Sequence, residues 1–270
     1  MGRDDTEVNL ELHRAHSARM YDYYLGGTTN FAADREAAGQ VMAVFPWAER
    51  AARVNRDFMH RSTRHLAEAG IRQFLDIGTG IPTSPNLHEV AQQCQPAARI
   101  VYADNDPIVL AHAQALLRST PEGRTAYLQA DITDPESILK APEVRQNIDL
   151  DQPVALSLNA IMHFIPDSQG ALGVVRQLMA ALVPGSALVI SHGSPDFAPE
   201  EAERIVRVYE AAGTTVRMRT KAELALFLQG LDVLPPGIVA THRWRPDGGR
   251  PDPLVADAHA SAYAAVALKR

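Results

Sequence analysis

The chain has 270 residues, 46% apolar and 21% charged, with a net charge of −6. That length buries a full core and that balance is ordinary for a globular protein, while the net acidity leaves no electrostatic footprint for nucleic acid or an anionic membrane. Cys94 is the sole cysteine, so no internal disulfide forms, which fits a reducing, cytoplasmic setting.

The first residues, Met1-Gly2-Arg3-Asp4-Asp5-Thr6, lack the apolar stretch of a secretory signal. Gly2 with Thr6 meets the loose myristoylation pattern, but acidic residues follow where a basic patch would support an anchor, so chance explains it better. No apolar run approaches the length of a membrane span. Arginines recur in scattered pairs (Arg14 and Arg19, Arg217 and Arg219, Arg243 and Arg245) that read as solvated surface.

Residues up to about Gly70 read as helical. The first fifty are the most aromatic part of the chain, with Tyr21, Tyr23, Tyr24, Phe31, Phe45 and Trp47. Residues 1–70 are expected as a helical cap on the domain formed by residues 71–270. Most of these aromatics serve packing. An aromatic face also attracts a cation by about 0.5–2 kcal/mol, and Gly26-Gly27 allows a turn that places Tyr24 or Leu25 against a ligand.

From Arg72 onward short β-type runs alternate with helical stretches, which argues for a parallel sheet covered by helices. The first strand, Gln73 to Ile77, holds Asp76 near its end and runs into Gly78-Thr79-Gly80. A helix at Leu87 to Ala91 follows, whose start offers unpaired N–H groups. Ile100 to Asp104 is the second strand, and Asp106-Pro107 opens a helix as cap and first turn. Thr125 to Gln129 is the third, with Asp131 just past its end and Asp134-Pro135 repeating the cap. Pro153 to Leu158 is the fourth, followed by Asn159. A helix from Ser168 to Leu182 stops at Pro184-Gly185, and Ala187 to Ser191 is the fifth strand. Glu200 to Ala212 reads as helix, and Thr220 to Glu223 as a capping box. Two β-type segments remain, about Asp232 to His242 and about Ser261 to Leu268.

Asp76, Asp104, Asp131 and Asn159 all stand at strand ends. In an open parallel sheet, ligands bind outside the carboxyl ends of the strands, at the switch point. One such residue alone is a turn-former; four in register mark a ligand site. An acid ending the second strand, about 20 residues past a glycine turn, reads a ribose and repels a 2′-phosphate. Asp131 suits an exocyclic amine, with Ile132 as an apolar edge for the base.

Two cofactors fit a nucleotide crevice. A dinucleotide wants G-x-G-x-x-G for its pyrophosphate, but Thr83 stands where the third small residue belongs, and Asp76 would repel the phosphates. S-adenosylmethionine has no phosphate. Its cationic amino-acid end suits Asp76, its ribose Asp104 and its base Asp131, so the charge logic favours it over a nicotinamide nucleotide.

The blocks Asp76-x-Gly78-x-Gly80, Asp104 and Asp131 resemble the first motifs of class I methyltransferases. Over nearly the whole chain the sequence is similar to the actinobacterial S-adenosyl methyltransferase family, formerly a domain of unknown function. Its blocks here are Ala18 to Gly27, Asn30 to Arg35, Asn55-Arg56, Gln73 to Pro82 and Val101 to Pro107. The resemblance implies a Rossmann-like α/β fold, a seven-stranded, mostly parallel sheet with helices on both faces and an N-terminal helical cap. It implies S-adenosylmethionine as cofactor and S-adenosylhomocysteine as product, held by Asp76, Gly78, Thr79, Gly80, Asp104, Asn105, Asp131, Ile132 and Asn159, with Tyr24 over the site. Pro82 replaces the usual third glycine.

Methyl transfer is a displacement at an already activated carbon, so orientation and exclusion of water do most of the work. A hydroxyl or amine acceptor also needs a base. His163, after the fourth strand, is the candidate catalytic residue; His192, after the fifth, is the second. For each, a hydrogen-bonded rim histidine is the plainer reading. His13 and His16, or His60 and His65, show no partner set for a metal. The expected function is a methyltransferase acting on a small-molecule acceptor, not nucleic acid or membrane. The alternative is a non-catalytic sensor or partner protein that binds the cofactor or its product.

Overall fold

The alternation of apolar runs becomes a single sheet in the computed structural model, which describes residues 12–116 and 118–270. The Gly2 and Thr6 pattern lies outside the described residues. The strands are β1 (Gln73–Ile77), β2 (Arg99–Asp104), β3 (Arg124–Gln129), β4 (Ala155–Asn159), β5 (Ala187–Gly193), β6 (Leu231–Val233), β7 (Val239–Ala240) and β8 (Ala262–Lys269). They form an eight-stranded sheet in the order β3-β2-β1-β4-β5-β8-β6, with β7 paired to β8 off this path. Neighbours among β1 to β5 run parallel, and β8 is antiparallel to β5, β6 and β7.

The eighth strand arises because the Asp232 to His242 run, expected as one segment, is divided. Pro235 and Pro236 lack the N–H that a ladder requires, and Gly237 follows at φ 88°. So β6 and β7 meet β8 as separate short pieces.

Helices α1 (Ser17–Tyr24), α2 (Ala32–Val44) and α3 (Ala48–Glu68) precede the sheet. Then come α4 (Leu87–Cys94), α5 (Pro107–Leu116), α6 (Pro135–Lys140), α7 (Pro142–Asn147), α8 (Ala171–Ala180), α9 (Pro199–Ala211), α10 (Lys221–Ala225) and α11 (Asp257–Ala260). The expected caps form: Asp106 Oδ1 accepts from the Ile108 N–H at 2.9 Å and Asp134 Oδ1 from the Ser137 N–H at 3.1 Å. Thr220 and Glu223 cap α10 reciprocally. The Ser168 to Leu182 run starts later than its pattern suggests, because left-handed Gly170 separates a single tight turn from α8.

Alternate residues of each strand feed opposite layers. Leu75, Val101, Leu156 and Leu188 pack with Ile138, Val144, Val175 and Leu178 of α6, α7 and α8. Phe74, Ile100, Ala155 and Val189 pack on the other side with Phe58, Met59 and Leu66 of α3 and Leu87 of α4. Each large apolar side chain so buried contributes about 1.5–3 kcal/mol. A separate core joins Met20 and Tyr24 of α1, Val41 of α2, Ala48 and Ala52 of α3, and Ile205 of α9. Helix α3 therefore serves both: its first turns belong to the cap core and its later turns to the sheet. Among the described residues, no helix is long and apolar enough to cross a membrane.

Candidate functional site

The strand order reverses between β1 and β4, and that is where the crevice opens. A cavity of about 530 Å³ lies there, in the range of roughly 300–1,000 Å³ usual for small-molecule sites. Tyr24, Asp76, Gly78, Thr79, Gly80, Asp104, Asn105, Asp131, Ile132, Asn159 and His163 all line it. The sequence-predicted residues are therefore brought together, although they are spread over a large part of the chain.

The glycine turn owes its shape to two constraints. Gly78 stands at φ 75°, and a Cβ there would come within 2.7 Å of the Ile161 side chain. Only glycine meets both. The Gly78 N–H donates to the Ala103 carbonyl at 2.8 Å, which ties the turn to β2.

The helix beyond this turn begins at Leu87, where the sequence pattern placed it. Residues 81–86 intervene: the Glu89 carboxylate accepts from the Asn86 N–H at the start of α4, and Asn86 Oδ1 accepts from the Thr83 N–H at 3.0 Å. The His88 N–H donates to the Tyr102 hydroxyl at 2.7 Å, so that first-turn donor is spent inside the protein rather than on a ligand. Pro82 falls within this loop and not at the helix start, where a third glycine would permit close helix packing. The loop is held from α3: Arg56 Nη2 donates to the Thr83 and Pro85 carbonyls, the latter at 3.0 Å, and a His60 ring nitrogen lies 2.8 Å from the Pro85 carbonyl. Arg56 also lines the cavity.

Asp76 is buried, with Oδ2 accepting from the Thr79 hydroxyl at 2.9 Å. Burial pushes its carboxyl up to about 6, against the opposing effects of the Thr79 and Ser157 hydroxyls. Asp104 is buried too. Its Oδ2 accepts from the Gly80 N–H at 2.8 Å and its Oδ1 from the Asp106 N–H at 3.0 Å. Burial raises its pKa despite those two bonds. Each oxygen retains acceptor capacity for a further donor.

Asp131 is exposed, and its Oδ1 accepts from the Thr133 N–H and hydroxyl at 2.8 and 2.7 Å. It is thus both a local turn-former and part of the cavity wall. Asn159 donates through Nδ2 to the Ser157 hydroxyl at 2.6 Å, while its Oδ1 is buried without a hydrogen-bond partner.

Helices α1 and α2 bring Tyr21, Tyr24, Val41 and Phe45 to the cavity. Leu25, Tyr23, Phe31 and Trp47 are not in its lining, so the aromatic segment divides between wall and scaffold. The cap is fastened beside Asp104 by charge. Arg19 Nε lies 3.4 Å from both Asp34 Oδ1 and Asp106 Oδ2, and His16 Nδ1 lies 3.2 Å from Asp106 Oδ2. Next to it, a Cβ on Gly27 would sit 2.0 Å from the Asp22 carboxylate, which accepts from Asn30 Nδ2 at 2.8 Å.

Arg19 corrects the reading of the paired arginines as solvated, and so does Arg219: each is only 3% exposed. Arg219 donates to the Met162 and Ile165 carbonyls, each at 2.9 Å, and to Asp167 at 2.6 Å. A buried guanidinium persists because its donors are paired to carboxylate and carbonyl oxygens. Sequence spacing gave no sign of this, although Arg19, Asp34 and Arg56 all fall inside the blocks that carry the family resemblance.

Arg219 Nη1 also donates to His192 Nε2 at 3.0 Å, so the His192 proton sits on Nδ1, which lies 2.7 Å from the Gly193 carbonyl. The Gly193 N–H in turn donates to His163 Nδ1 at 3.3 Å, leaving Nε2 to carry the His163 proton. Burial, followed by His192 and Arg219, holds His163 well below its ordinary pKa. Burial likewise depresses His192, to about 4.

The family model described as S-adenosyl methyltransferase matches residues 3–270. A duf574 family protein from Streptomyces avermitilis is similar at 52% identity over 97% of this chain and 100% of the other, with a TM-score of 0.94. A putative methyltransferase from Thermobifida fusca is 36% identical over 99% of this chain and all of the other, with a TM-score of 0.87. The plantazolicin methyltransferase BpumL, solved with S-adenosylhomocysteine, shares the fold at 12% identity and a TM-score of 0.51, over 94% of this chain and 95% of its own. Comparison with curated proteins gives no match.

Proposed function

The chain belongs to the S-adenosyl methyltransferase family, whose cofactor is S-adenosylmethionine, and on that premise we propose that it methylates a small molecule held between the strand ends and the helical cap. The observation that carries the reading is the gathering of Asp76, Asp104 and Asp131 on one cavity beside a glycine turn. These residues suit a ligand with cationic and hydroxyl groups and repel a pyrophosphate.

The donor set fits S-adenosylmethionine group by group. The spare acceptor capacity of Asp104 suits the ribose hydroxyls, with Asn105 beside it. Asp131 and Ile132 suit the amine edge and face of adenine. Asp76, aligned by Thr79, and the unpartnered Asn159 Oδ1 suit the ammonium. Arg56 suits the carboxylate: among the described residues its hydrogen bonds all come from Nη2 and all end on uncharged oxygens. Tyr24 closes the wall. When bound, the cofactor supplies a methyl group already activated on a sulfonium.

What the chain adds is orientation and a dry chamber. His163, with its Nδ1 engaged by Gly193, serves as a hydrogen-bond donor to the acceptor rather than as a base. The division at about residue 70 belongs to the same proposal: α1 and α2 form the cap with a core of their own, and α3 joins it to the cofactor-binding part.

Incubation with methyl-labelled S-adenosylmethionine and fractionated small metabolites tests this. Label is expected in a small molecule in step with S-adenosylhomocysteine formation. Tight cofactor binding without label transfer to any fraction would make the chain a sensor instead.

A further inference from the structure

Past the ends of β1 to β3 the cavity changes character. Its wall there is Val41 of α2, Phe45 just past that helix, Ala48 and Ala52 of α3, and Ile205 of α9. The small alanines leave room, and the larger side chains present apolar surface.

Among the described lining residues, the carboxylates are Asp76, Asp104 and Asp131, all at the β1 to β3 end. The capped end therefore holds no acidic group. Nothing there would balance a protonated amine, remove its proton, or offset the charge of a cationic product, and leaving such a charge uncompensated is costly. Its ring nitrogens are also committed. The His163 Nδ1 lone pair takes the Gly193 N–H, the His192 Nε2 lone pair takes Arg219, and the remaining nitrogens carry the protons. His16 stands at the opposite end, against Asp106. The Tyr21, Tyr24 and Tyr209 phenols are shifted upward by burial and so remain neutral.

We propose that the methyl acceptor is a small, largely apolar organic acid that enters already ionised and is methylated on its anionic oxygen. The inference rests on the cofactor reading above. The acceptor oxygen supplies the electron pair of the new O–CH3 bond. The S–CH3 bond breaks and its pair stays on sulfur. An anion and a sulfonium become a neutral ester or ether and a neutral thioether, and no proton is transferred. That balance explains how the chamber works without a base. It also sets the binding order of strength: an anion beside a cation in a dry cavity is attracted far more than in water. His163 and the Tyr24 and Tyr209 phenols orient the oxygen as neutral donors, whereas the Tyr21 hydroxyl is spent on the Ala52 carbonyl at 2.9 Å.

The test is calorimetry on the full chain, loaded either with S-adenosylhomocysteine or with sinefungin, which carries an ammonium in place of the methylsulfonium. The probes are benzoate, benzamide and benzylamine, hexanoate, hexanamide and hexylamine, and 4-nitrophenolate. The acids are expected to bind at least about tenfold more tightly to the sinefungin-loaded chain than to the S-adenosylhomocysteine-loaded one, with no such gain for amides or amines. A carboxylate gain alone points to an ester product, and a phenolate gain alone to an ether. Tighter binding of the amines, equal binding of acid and amide, or no acid binding at about millimolar concentration overturns the proposal. Failure of both cofactor analogues to bind the free chain would instead remove the cofactor reading beneath it.

Discussion

The two ends of the cavity are built on different principles. At the β1 to β3 end, buried carboxylates are fixed by main-chain donors, as when Asp104 takes the Gly80 and Asp106 N–H groups. At the capped end, apolar side chains from three helices surround neutral donors, and the buried Arg219 is turned away onto carbonyls and Asp167. The first end is specified by charge and turn geometry and suits one invariant ligand. The second is specified by shape and by the absence of carboxylates, among the described lining residues, and suits selection of an acceptor.

If that contrast is right, changes at the two ends separate in their effects. The largest falls on Asp104→Ala, which removes charge-assisted bonds to the ribose. Each such bond is worth about 1.5–3 kcal/mol, so S-adenosylhomocysteine affinity should drop about 100-fold or more by calorimetry. Unchanged affinity in a folded variant would break the assignment.

Next is Gly78→Ala. A left-handed backbone with a Cβ, pressed against Ile161, should cost about 2–4 kcal/mol of unfolding free energy in denaturant titration. A near-neutral result would mean that the turn is free to rearrange.

Acidification comes third. Burial holds the Asp76 carboxyl up to about 6, above its unfolded range. In the free protein, ionising it therefore costs stability as the pH rises through that window. A cationic ligand binds the ionised form, so the sign reverses for the complex: affinity should be flat above pH 6 and fall by about tenfold per unit below it. The raised Asp104 acts in the same direction. Affinity that is level from pH 5 to 7 in the same titrations would contradict the role given to Asp76.

The smallest effect is expected from His163→Gln, which lies at the capped end. Cofactor affinity should stay within about twofold, whereas transfer to an acceptor should slow by about 10- to 100-fold as an orienting donor is displaced. A large loss of cofactor affinity would merge the two ends into one.

The same contrast decides what could be read from the sequence. The acidic end is made of residues at strand ends and in one glycine turn, so local patterning exposes it, and Asp76, Asp104, Asp131 and Asn159 could be named together. Strands β1 to β5 were legible for the same reason, being short apolar runs bounded by turns. The capped end is assembled from α1, α2, α3, α9 and the ends of β4, β5 and β8, with no local period linking them. Arg19 and Arg219 looked like surface because ion-pair partners such as Asp106 and Asp167 are distant in sequence. The start of α4 at Leu87 was legible, but the hold on the loop before it was not, because Arg56 and His60 reach that loop from another helix.

The most direct test of the central claim is a parallel titration of the purified chain with S-adenosylmethionine, S-adenosylhomocysteine and NAD+. The arrangement of Asp76, Asp104 and Asp131 predicts one tight site per chain for both sulfur nucleosides, lost together in Asp104→Ala, and no dinucleotide binding at about millimolar concentration. Stoichiometric NAD+ binding without binding of either sulfur nucleoside would contradict it.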